Sequence, residues 1–314
     1  MLIAYVPNKN TQSAQSWLNA FSTAMPEHQF KVLSELSDSE KSKIEVAIVA
    51  NTENTDFTQL PHLKWVQSTW AGVENLLDCK SLLDVPIVRL QDPTLANTMA
   101  DSVLCWVMNC QRHNPLYARQ QKTGHWQSHP VKPNQEFEIL LLGAGNMGMT
   151  AARRLQEQGY KLSIWARTTR DSISDDVIFY SDREGLRAAL QRADVVVALL
   201  PHTPDTRFLL DDETLSWCKP GAYLINFGRG SAIKTSALLT HLERSELAHA
   251  VLDVFDVEPL PQDHPFWHHP KVTVLPHIAA PTNPQSATLV IKKNLSNYIS
   301  FGQIPKAVDI KRGY

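Results

Sequence analysis

The sequence predicts an α/β protein built from two doubly wound parallel-sheet domains. Apolar, strand-like segments alternate with helix-like segments along the chain, which is typical of parallel sheets with helices on both faces. The 314 residues are enough for about two domains of ordinary size. A glycine-rich turn between a strand-like and a helix-like segment lies near the middle of the chain, so we expect the second domain to begin shortly before it.

The predicted elements follow in order. Strands are expected at residues 2–6, 45–50, 64–67 and 87–89, with helices between them such as 13–24. A long helix over 98–111, which Asn97 or Thr98 can cap, is expected to connect the domains. Six further strands are expected at 139–142, 162–165, 195–199, 223–226, 249–252 and 273–275. The last helix, 285–300, has no strand left to serve in the second sheet, so we expect it to return to the first domain.

The glycine motif reads GAGNMG and spans residues 143–148, directly after an apolar strand. Gly143 permits a tight turn, Gly145 lets the backbone approach a phosphate, and Gly148 lets helix and strand pack closely. A strand, a glycine turn and a helix start together favour a dinucleotide site over a chance match in a loop. We therefore predict a Rossmann domain at 98–284 and a flavodoxin-like domain formed by 1–97 and 285–314.

The residues after the second strand of this domain predict which dinucleotide binds. A site that prefers NAD usually has an acidic residue here to hold the ribose 2′-hydroxyl. This chain has Ala166, Arg167, Thr168, Thr169 and Arg170 instead. The two guanidiniums can pair with a 2′-phosphate, so NADPH is predicted to be preferred, with NADH as an alternative. The competing interpretation is that both arginines are solvated loop charges.

Composition excludes several other classes of protein. The net charge is -2, from 30 basic and 32 acidic side chains, which does not suggest nucleic-acid binding. Apolar runs are too short to span a bilayer, and the first residues do not resemble a signal peptide, so we expect a cytoplasmic protein.

The cysteines and histidines do not predict a metal site. Four cysteines lack CxxC spacing and are expected to be buried free thiols. His264, His268 and His269 are close in sequence, but Pro265 and Pro270 predict a loop rather than a helix that presents metal ligands, so no metal is expected.

Several motifs in the second half carry a family resemblance. They are LPHTPDT (200–206), NFGRG (226–230), DVFDVEP (253–259) and LPHIAAPT (275–282). In this order and spacing they resemble the D-2-hydroxyacid dehydrogenases over nearly the whole chain. Ala166-Arg167 and QKTGHWQ (121–127) make the sequence most similar to bacterial glyoxylate/hydroxypyruvate reductases of type A.

The resemblance implies a catalytic trio. His277 matches the family's general acid, Glu258 its carboxylate partner and Arg229 its substrate-binding guanidinium. Reduction of a 2-keto acid needs a hydride, a proton and a cation that holds the substrate, and these side chains suit the last two needs. Individually, they could instead be a core histidine, a solvated carboxylate and a helix-cap cation.

The resemblance also implies contacts with the cofactor and the substrate. Asp253 matches the position that holds the nicotinamide carboxamide. The expected cofactor-binding residues are Gly143, Gly145, Asn146, Met147, Gly148, Arg167, Thr168, Arg170, Leu200, Pro201, Thr206, Phe227 and Asp253. The expected substrate-binding residues are Trp70, Ala71, Gly72, Val73, Arg229 and His277. Trp70 would favour a short substrate, unless it is a core tryptophan.

The resulting functional prediction is NADPH-dependent reduction of glyoxylate and hydroxypyruvate. The alternatives are a reductase of another 2-keto acid, such as phenylpyruvate, and a dinucleotide-sensing binding protein. Trp126 lies in a segment that forms a dimerisation arm in related reductases, so the resemblance implies a homodimer. No nucleic-acid or membrane partner is expected.

Overall fold

A computed structural model describes residues 1–8, 14–50, 55–167, 177–310 and 313. Within these ranges the chain forms twelve strands and ten α-helices. The strands are β1 Leu2–Val6, β2 Gln29–Val32, β3 Val46–Val49, β4 Trp65–Ser68, β5 Ile87–Val88, β6 Glu138–Leu142, β7 Lys161–Trp165, β8 Val177–Tyr180, β9 Val195–Ala198, β10 Ala222–Asn226, β11 Leu247–Leu252 and β12 Val272–Val274. The helices are α1 Ala14–Ala24, α2 Asp38–Lys41, α3 Glu74–Leu77, α4 Pro93–Gln111, α5 Asn114–Lys122, α6 Asn146–Gln156, α7 Asp182–Leu190, α8 Asp212–Ser216, α9 Thr235–Glu243 and α10 Pro284–Phe301.

The chain divides into two compact units. Residues 1–95 and 282–314 form the first unit, and residues 96–281 form the second. Each unit contains its own parallel sheet, so the predicted α/β class with two parallel sheets is confirmed.

The first unit is built on a five-stranded sheet of order β2-β1-β3-β4-β5, which is the flavodoxin-like order. All four residues of β3 are buried, as expected for a strand covered on both faces. Helix α10 belongs to this unit and is tied to it by polar contacts: Lys292 Nζ donates to Ala24 O at 2.7 Å, and Tyr298 Oη donates to Glu45 Oε2 at 2.9 Å.

The second unit is built on a seven-stranded sheet of order β12-β11-β10-β9-β6-β7-β8. The chain runs outward from β6 through β7 to β8, and then returns to place β9 on the other side of β6. The order of the strands therefore reverses between β6 and β9. In open α/β sheets a ligand binds in the crevice at the carboxyl ends of the strands beside such a reversal.

Two strands are not among those predicted from the sequence. The second sheet has seven strands rather than six because β8 adds to its edge, and the first sheet gains β2 at its own edge. The residues of β2 alternate between exposed and partly buried. An edge strand of this kind lacks the continuous apolar run by which a central strand is recognised.

The long helix α4 begins five residues before the predicted start at residue 98. Pro93 occupies its first turn, and Asp92 Oδ1 accepts a hydrogen bond from Thr94 N at 2.9 Å. Through this hydrogen bond the buried Asp92 caps the helix in place of Asn97 or Thr98.

The cysteines only partly match their prediction. All four are free thiols, but Cys110 alone is fully buried, Cys79 and Cys218 are half-buried, and Cys105 is exposed on α4. Burial raises the pKa of Cys218 to about 12, so this thiol stays protonated at neutral pH. Across the described ranges, we find no helix with both the length and the apolar character needed to cross a membrane.

Candidate active site

A tight turn joins β6 to α6 at the carboxyl edge of the second sheet. Gly143 has φ +114°, and a Cβ added there would lie 2.9 Å from Leu199 O. A Cβ on Gly148 would lie only 2.0 Å from Gly143 O. The packing of the chain itself therefore requires glycine at both positions.

Gly145 differs from these two glycines because the packing does not require it. Its φ is -75°, and an added Cβ would have no described protein atom within 4 Å. Gly145 is the N-cap residue of α6 and has no side chain that could accept from the first amides, and Asn146 beside it is exposed. Open amides at a helix N-terminus attract anions, and Met147 continues the same turn. These residues fit the pyrophosphate of a dinucleotide.

Arg167 follows β7 and is exposed. Its Nη1 forms an ion pair with Asp205 Oδ2 at 3.0 Å. Thr168, Thr169 and Arg170 lie outside the described residues. Arg167 therefore lies at the position expected to bind a 2′-phosphate, and it has an acidic partner, Asp205, that the sequence did not predict.

The loop after β9 carries three of the predicted cofactor residues. Leu200 is buried and Pro201 is half-buried. Thr206 Oγ1 donates to Pro201 O at 2.6 Å and accepts from Thr203 N at 3.0 Å. The Thr206 hydroxyl thus stabilises the loop, and its hydrogen is already donated to the carbonyl of Pro201.

The loop after β10 holds Arg229. Asn226 braces this loop, because its Nδ2 donates to Arg229 O at 2.9 Å and its Oδ1 accepts from Gly228 N at 3.2 Å. A Cβ on Gly228 would lie 2.6 Å from Leu200 N, and one on Gly230 would lie 2.0 Å from the carbonyl carbon of Phe255. These glycines let three loops approach closely around the half-buried Arg229.

His277 and Glu258 lie on the loops that follow β12 and β11. His277 Nδ1 is 2.7 Å from Glu258 Oε2, and Phe255 N donates to Glu258 Oε1 at 2.9 Å. The hydrogen bond to Glu258 raises the pKa of His277, although burial and the charge of Arg229 act in the opposite direction. Burial acts to raise the pKa of Glu258, but its hydrogen bonds to His277 and Phe255 outweigh burial and lower it.

The loops after β10, β11 and β12 therefore place the Arg229 guanidinium, the Glu258 carboxylate and the His277 imidazole at the carboxyl edge of one sheet. Nδ1 of His277 faces Glu258, which leaves Nε2 to carry the second proton of the imidazolium. An imidazolium next to a fixed cation can protonate a developing oxyanion whose other end the cation holds.

Comparison with known proteins shows the family to which the chain belongs. The family model for the NAD-binding domain of D-isomer specific 2-hydroxyacid dehydrogenase matches residues 104–279. The chain belongs to this family. It is therefore an NAD(P)-dependent oxidoreductase.

Full-length relatives of this dehydrogenase are known. Glyoxylate/hydroxypyruvate reductase A of Serratia proteamaculans is 34% identical over 100% of this chain and 99% of the relative. A D-isomer specific 2-hydroxyacid dehydrogenase from Xanthobacter autotrophicus, solved with NADPH and MES, has a TM-score of 0.92 at 31% identity, covering 100% of this chain and 99% of that one. An NADPH-dependent glyoxylate/hydroxypyruvate reductase from Sinorhizobium meliloti, solved with NADP and sulfate, has a TM-score of 0.88 at 28% identity and the same coverage.

Two predicted cofactor contacts of the dehydrogenase are buried side chains. Phe227 is 4% exposed and packs in the core of the second unit. Asp253 is 1% exposed, and its two carboxylate oxygens accept from Ile278 N at 2.7 Å and from Ala279 N at 2.9 Å. The nearest partners of Asp253 are therefore backbone amides of the turn that carries His277.

The predicted substrate loop of the dehydrogenase lies in the first unit, between β4 and α3. Trp70, Ala71 and Gly72 are half-buried, whereas Val73 is buried in the core of that unit. Trp70 N donates to Ser68 Oγ at 3.0 Å, and Trp70 O accepts from Leu90 N at 2.9 Å. The backbone of this loop is held at both sides of Trp70.

His264, His269 and Trp126 lie outside the groups described so far. His264 Nδ1 accepts from Phe266 N, and His269 Nδ1 accepts from Lys271 N. No cluster of His, Cys, Asp or Glu suited to a metal occurs in the ranges that the structure describes. Trp126 is fully exposed.

Sequence reasoning missed Asn226, Asp205 and Ser102. Asn226 stands inside the NFGRG motif, so its position was a usable signal. Ser102 Oγ donates to Ala279 O at 2.5 Å across 177 positions of the chain, a contact that no local pattern reveals.

Proposed function

We propose that this dehydrogenase reduces short 2-keto acids with NADPH, converting glyoxylate to glycolate and hydroxypyruvate to D-glycerate. The observation that carries the proposal is the 2.7 Å contact between His277 Nδ1 and Glu258 Oε2, with Arg229 close enough to influence both pKa values. A proton donor whose pKa is raised by a carboxylate partner, beside a permanent cation, suits ketone reduction better than passive binding of a dinucleotide.

The protein would supply the proton. When bound, NADPH would supply the hydride for C2 of the keto acid. The imidazolium of His277 donates its Nε2 proton to the ketone oxygen, and Glu258 stabilises the charged ring before the transfer. In the reverse direction the neutral Nε2 would accept the hydroxyl proton.

The substrate would be held by two sets of groups. The planar guanidinium of Arg229 can donate to the carboxylate and to the adjacent carbonyl oxygen, which orients and polarises the ketone. The backbone amides of Trp70, Ala71, Gly72 and Val73 would take the substrate carboxylate, as the family resemblance implies. The large ring of Trp70 would restrict the site to short acids.

NADPH is the proposed cofactor. The glycine turn would hold the pyrophosphate, and Arg167, with Thr168 and Arg170 from outside the described residues, would bind the 2′-phosphate. Relatives solved with NADPH or NADP support this choice. Leu200, Pro201, Thr206, Phe227 and Asp253 would complete the site through backbone and packing contacts, because the carboxylate of Asp253 already accepts from the amides of Ile278 and Ala279.

We also propose a domain organisation, an oligomeric state and a cellular location. Residues 98–284 would form the NAD(P)-binding domain, and residues 1–97 with 285–314 the substrate domain. We propose a homodimer in which the segment around the fully exposed Trp126 contributes to the contact. The expected location is the cytoplasm.

A cofactor-oxidation assay tests the proposal. Purified protein is supplied with glyoxylate, hydroxypyruvate or phenylpyruvate, each with NADPH and with NADH, and the loss of reduced-cofactor absorbance is measured. We expect the highest kcat/KM with NADPH and the two short acids, and near-complete loss of turnover in His277→Gln with NADPH binding retained. Preference for phenylpyruvate would contradict the short substrate, and preference for NADH would contradict the cofactor assignment.

A further inference from the structure

The turn that carries His277 has an unusual backbone. His277 has φ +54°, which lies in the left-handed region that side chains with a Cβ seldom adopt. A residue is held in this conformation only when its surroundings determine it. The contacts around the turn therefore decide where the imidazole is placed.

Asp253 holds the turn through three hydrogen bonds. Its backbone O accepts from His277 N at 3.0 Å, and its Oδ1 and Oδ2 accept from Ile278 N at 2.7 Å and Ala279 N at 2.9 Å. Three consecutive amides thus point at one residue, which is 1% exposed. Hydrogen bonds to a buried carboxylate are stronger than those between neutral groups.

Ser102 holds the same turn through a further hydrogen bond. It lies on α4, and its Oγ donates to Ala279 O at 2.5 Å. Ala279 is therefore held through both its N–H, by Asp253, and its carbonyl, by Ser102. Both contacts lie within the second unit.

We infer that Asp253 and Ser102 are positioning residues that clasp the backbone at 277–279 and so hold the imidazole against Glu258. The inference rests on the proposed role of His277 as proton donor. It assigns Asp253 a task different from the carboxamide contact that the family resemblance implies. Two of the roughly four acceptor sites of the Asp253 carboxylate already accept from backbone amides. The hydrogen bonds that the clasp requires are therefore present in the structure.

Loss of the clasp should change the titration of His277. The charged groups that act on this imidazole are Glu258, Arg229 and Asp253. If the turn relaxes, the hydrogen bond to Glu258 weakens first, because the short distance depends on where the backbone places the ring. The pKa of His277 would then fall toward its ordinary value, and less of the acid form would be present at neutral pH.

The experiment compares Asp253→Asn and Ser102→Ala with two matched controls in the same unit. Asp211→Asn alters a carboxylate that also accepts from a backbone amide, Thr214 N at 3.0 Å, and Ser163→Ala removes another hydroxyl bonded to a carbonyl, Ile139 O at 3.4 Å. Histidine titration by NMR, with His277→Gln used to assign the signal, is measured together with kcat, KM and the Kd of NADPH.

In Asp253→Asn the amide has a single acceptor oxygen, so one backbone N–H loses its partner. We expect a lower pKa for His277 and a fall in kcat of about tenfold or more, because small displacements of a reacting group are costly. The Kd of NADPH should stay within about twofold of the wild-type value. Ser102→Ala should change kcat and the titration in the same direction but less, and both controls should leave them unchanged.

Three results would overturn the clasp. The first is an unchanged His277 titration in both variants. The second is a loss in Asp253→Asn that appears only as weaker NADPH binding, as a carboxamide contact would give. The third is an equal loss in the controls. If Asp253→Asn does not fold, Ser102→Ala decides the question. Retained turnover in His277→Gln would instead refute the proposed function, while the NMR titration would still test the clasp.

Discussion

The contrast between Gly145 and Gly148 allows cofactor binding to be separated from folding. Gly145→Ala places a Cβ where no described protein atom lies within 4 Å, at a φ of -75° that alanine adopts readily. Gly148→Ala places a Cβ 2.0 Å from Gly143 O, a backbone atom that cannot move without opening the turn. Both substitutions add one methyl group to the same turn, so their different outcomes report on what occupies the space beside Gly145.

The expected magnitudes follow from these distances. Alanine at a helix N-cap in place of glycine costs about 0.5 to 1 kcal/mol in the free energy of unfolding. Overpacking against backbone at Gly148 should cost about 2 kcal/mol or more. If a phosphate contacts the amides at Gly145, displacing it by one methyl group loses a hydrogen bond to a charged group, or about 1.5 to 3 kcal/mol of binding free energy. That loss corresponds to an increase of about ten- to a hundredfold in the Kd of NADPH.

Two measurements are needed for each variant. Chemical denaturation gives the free energy of unfolding without cofactor, and calorimetric titration gives the Kd of NADPH. Gly145→Ala should fold almost as well as the wild type and bind weakly, whereas Gly148→Ala should be destabilised before any cofactor is added. Wild-type affinity in Gly145→Ala would refute the reasoning, because it would mean that no phosphate approaches this residue.

Four further predictions concern the proposed active site. Glu258→Gln removes the main cause of the raised His277 pKa, so the alkaline fall in keto-acid reduction should move to lower pH in a kcat/KM profile. Arg167→Ala should raise the Kd of NADPH about tenfold, with little change for NADH in the same titration. Trp70→Ala should improve kcat/KM for longer 2-keto acids, and unchanged selectivity would contradict a gating role. Light scattering should give twice the chain mass for the wild type and a smaller mass for Trp126→Ala; a monomeric wild type would contradict the dimer.

Much of the fold could be predicted because the relevant signals are local. Strands such as β6 and β9 are short apolar runs, and the glycine turn follows β6 directly in the sequence. Central strands of a parallel sheet are buried on both faces, so their residues must be apolar wherever the rest of the chain lies. The edge strand β2, with the sequence QFKV, does not meet this condition and was missed for that reason. The edge strand β8, with the sequence VIFY, was missed although its residues are apolar.

The candidate site divides in the same way. The order of the motifs carried the family resemblance, and that resemblance was enough to propose Arg229, Glu258 and His277 as a catalytic trio. The sequence could not show that Asp205 would pair with Arg167 at 3.0 Å. Nor could it show that the Thr206 hydroxyl would donate to Pro201 O within its own loop. Both contacts depend on how a loop folds back.

By itself the sequence determined the α/β class, the position of the nucleotide turn and the identity of the side chains that can carry charge and protons. Tertiary structure alone decided that Asp253 and Ser102, separated by about half the length of the chain, meet on one turn and set the backbone of His277. Periodicity and turn signals act between residues a few positions apart. The geometry of a catalytic group depends instead on contacts between segments that only the folded sheet brings together.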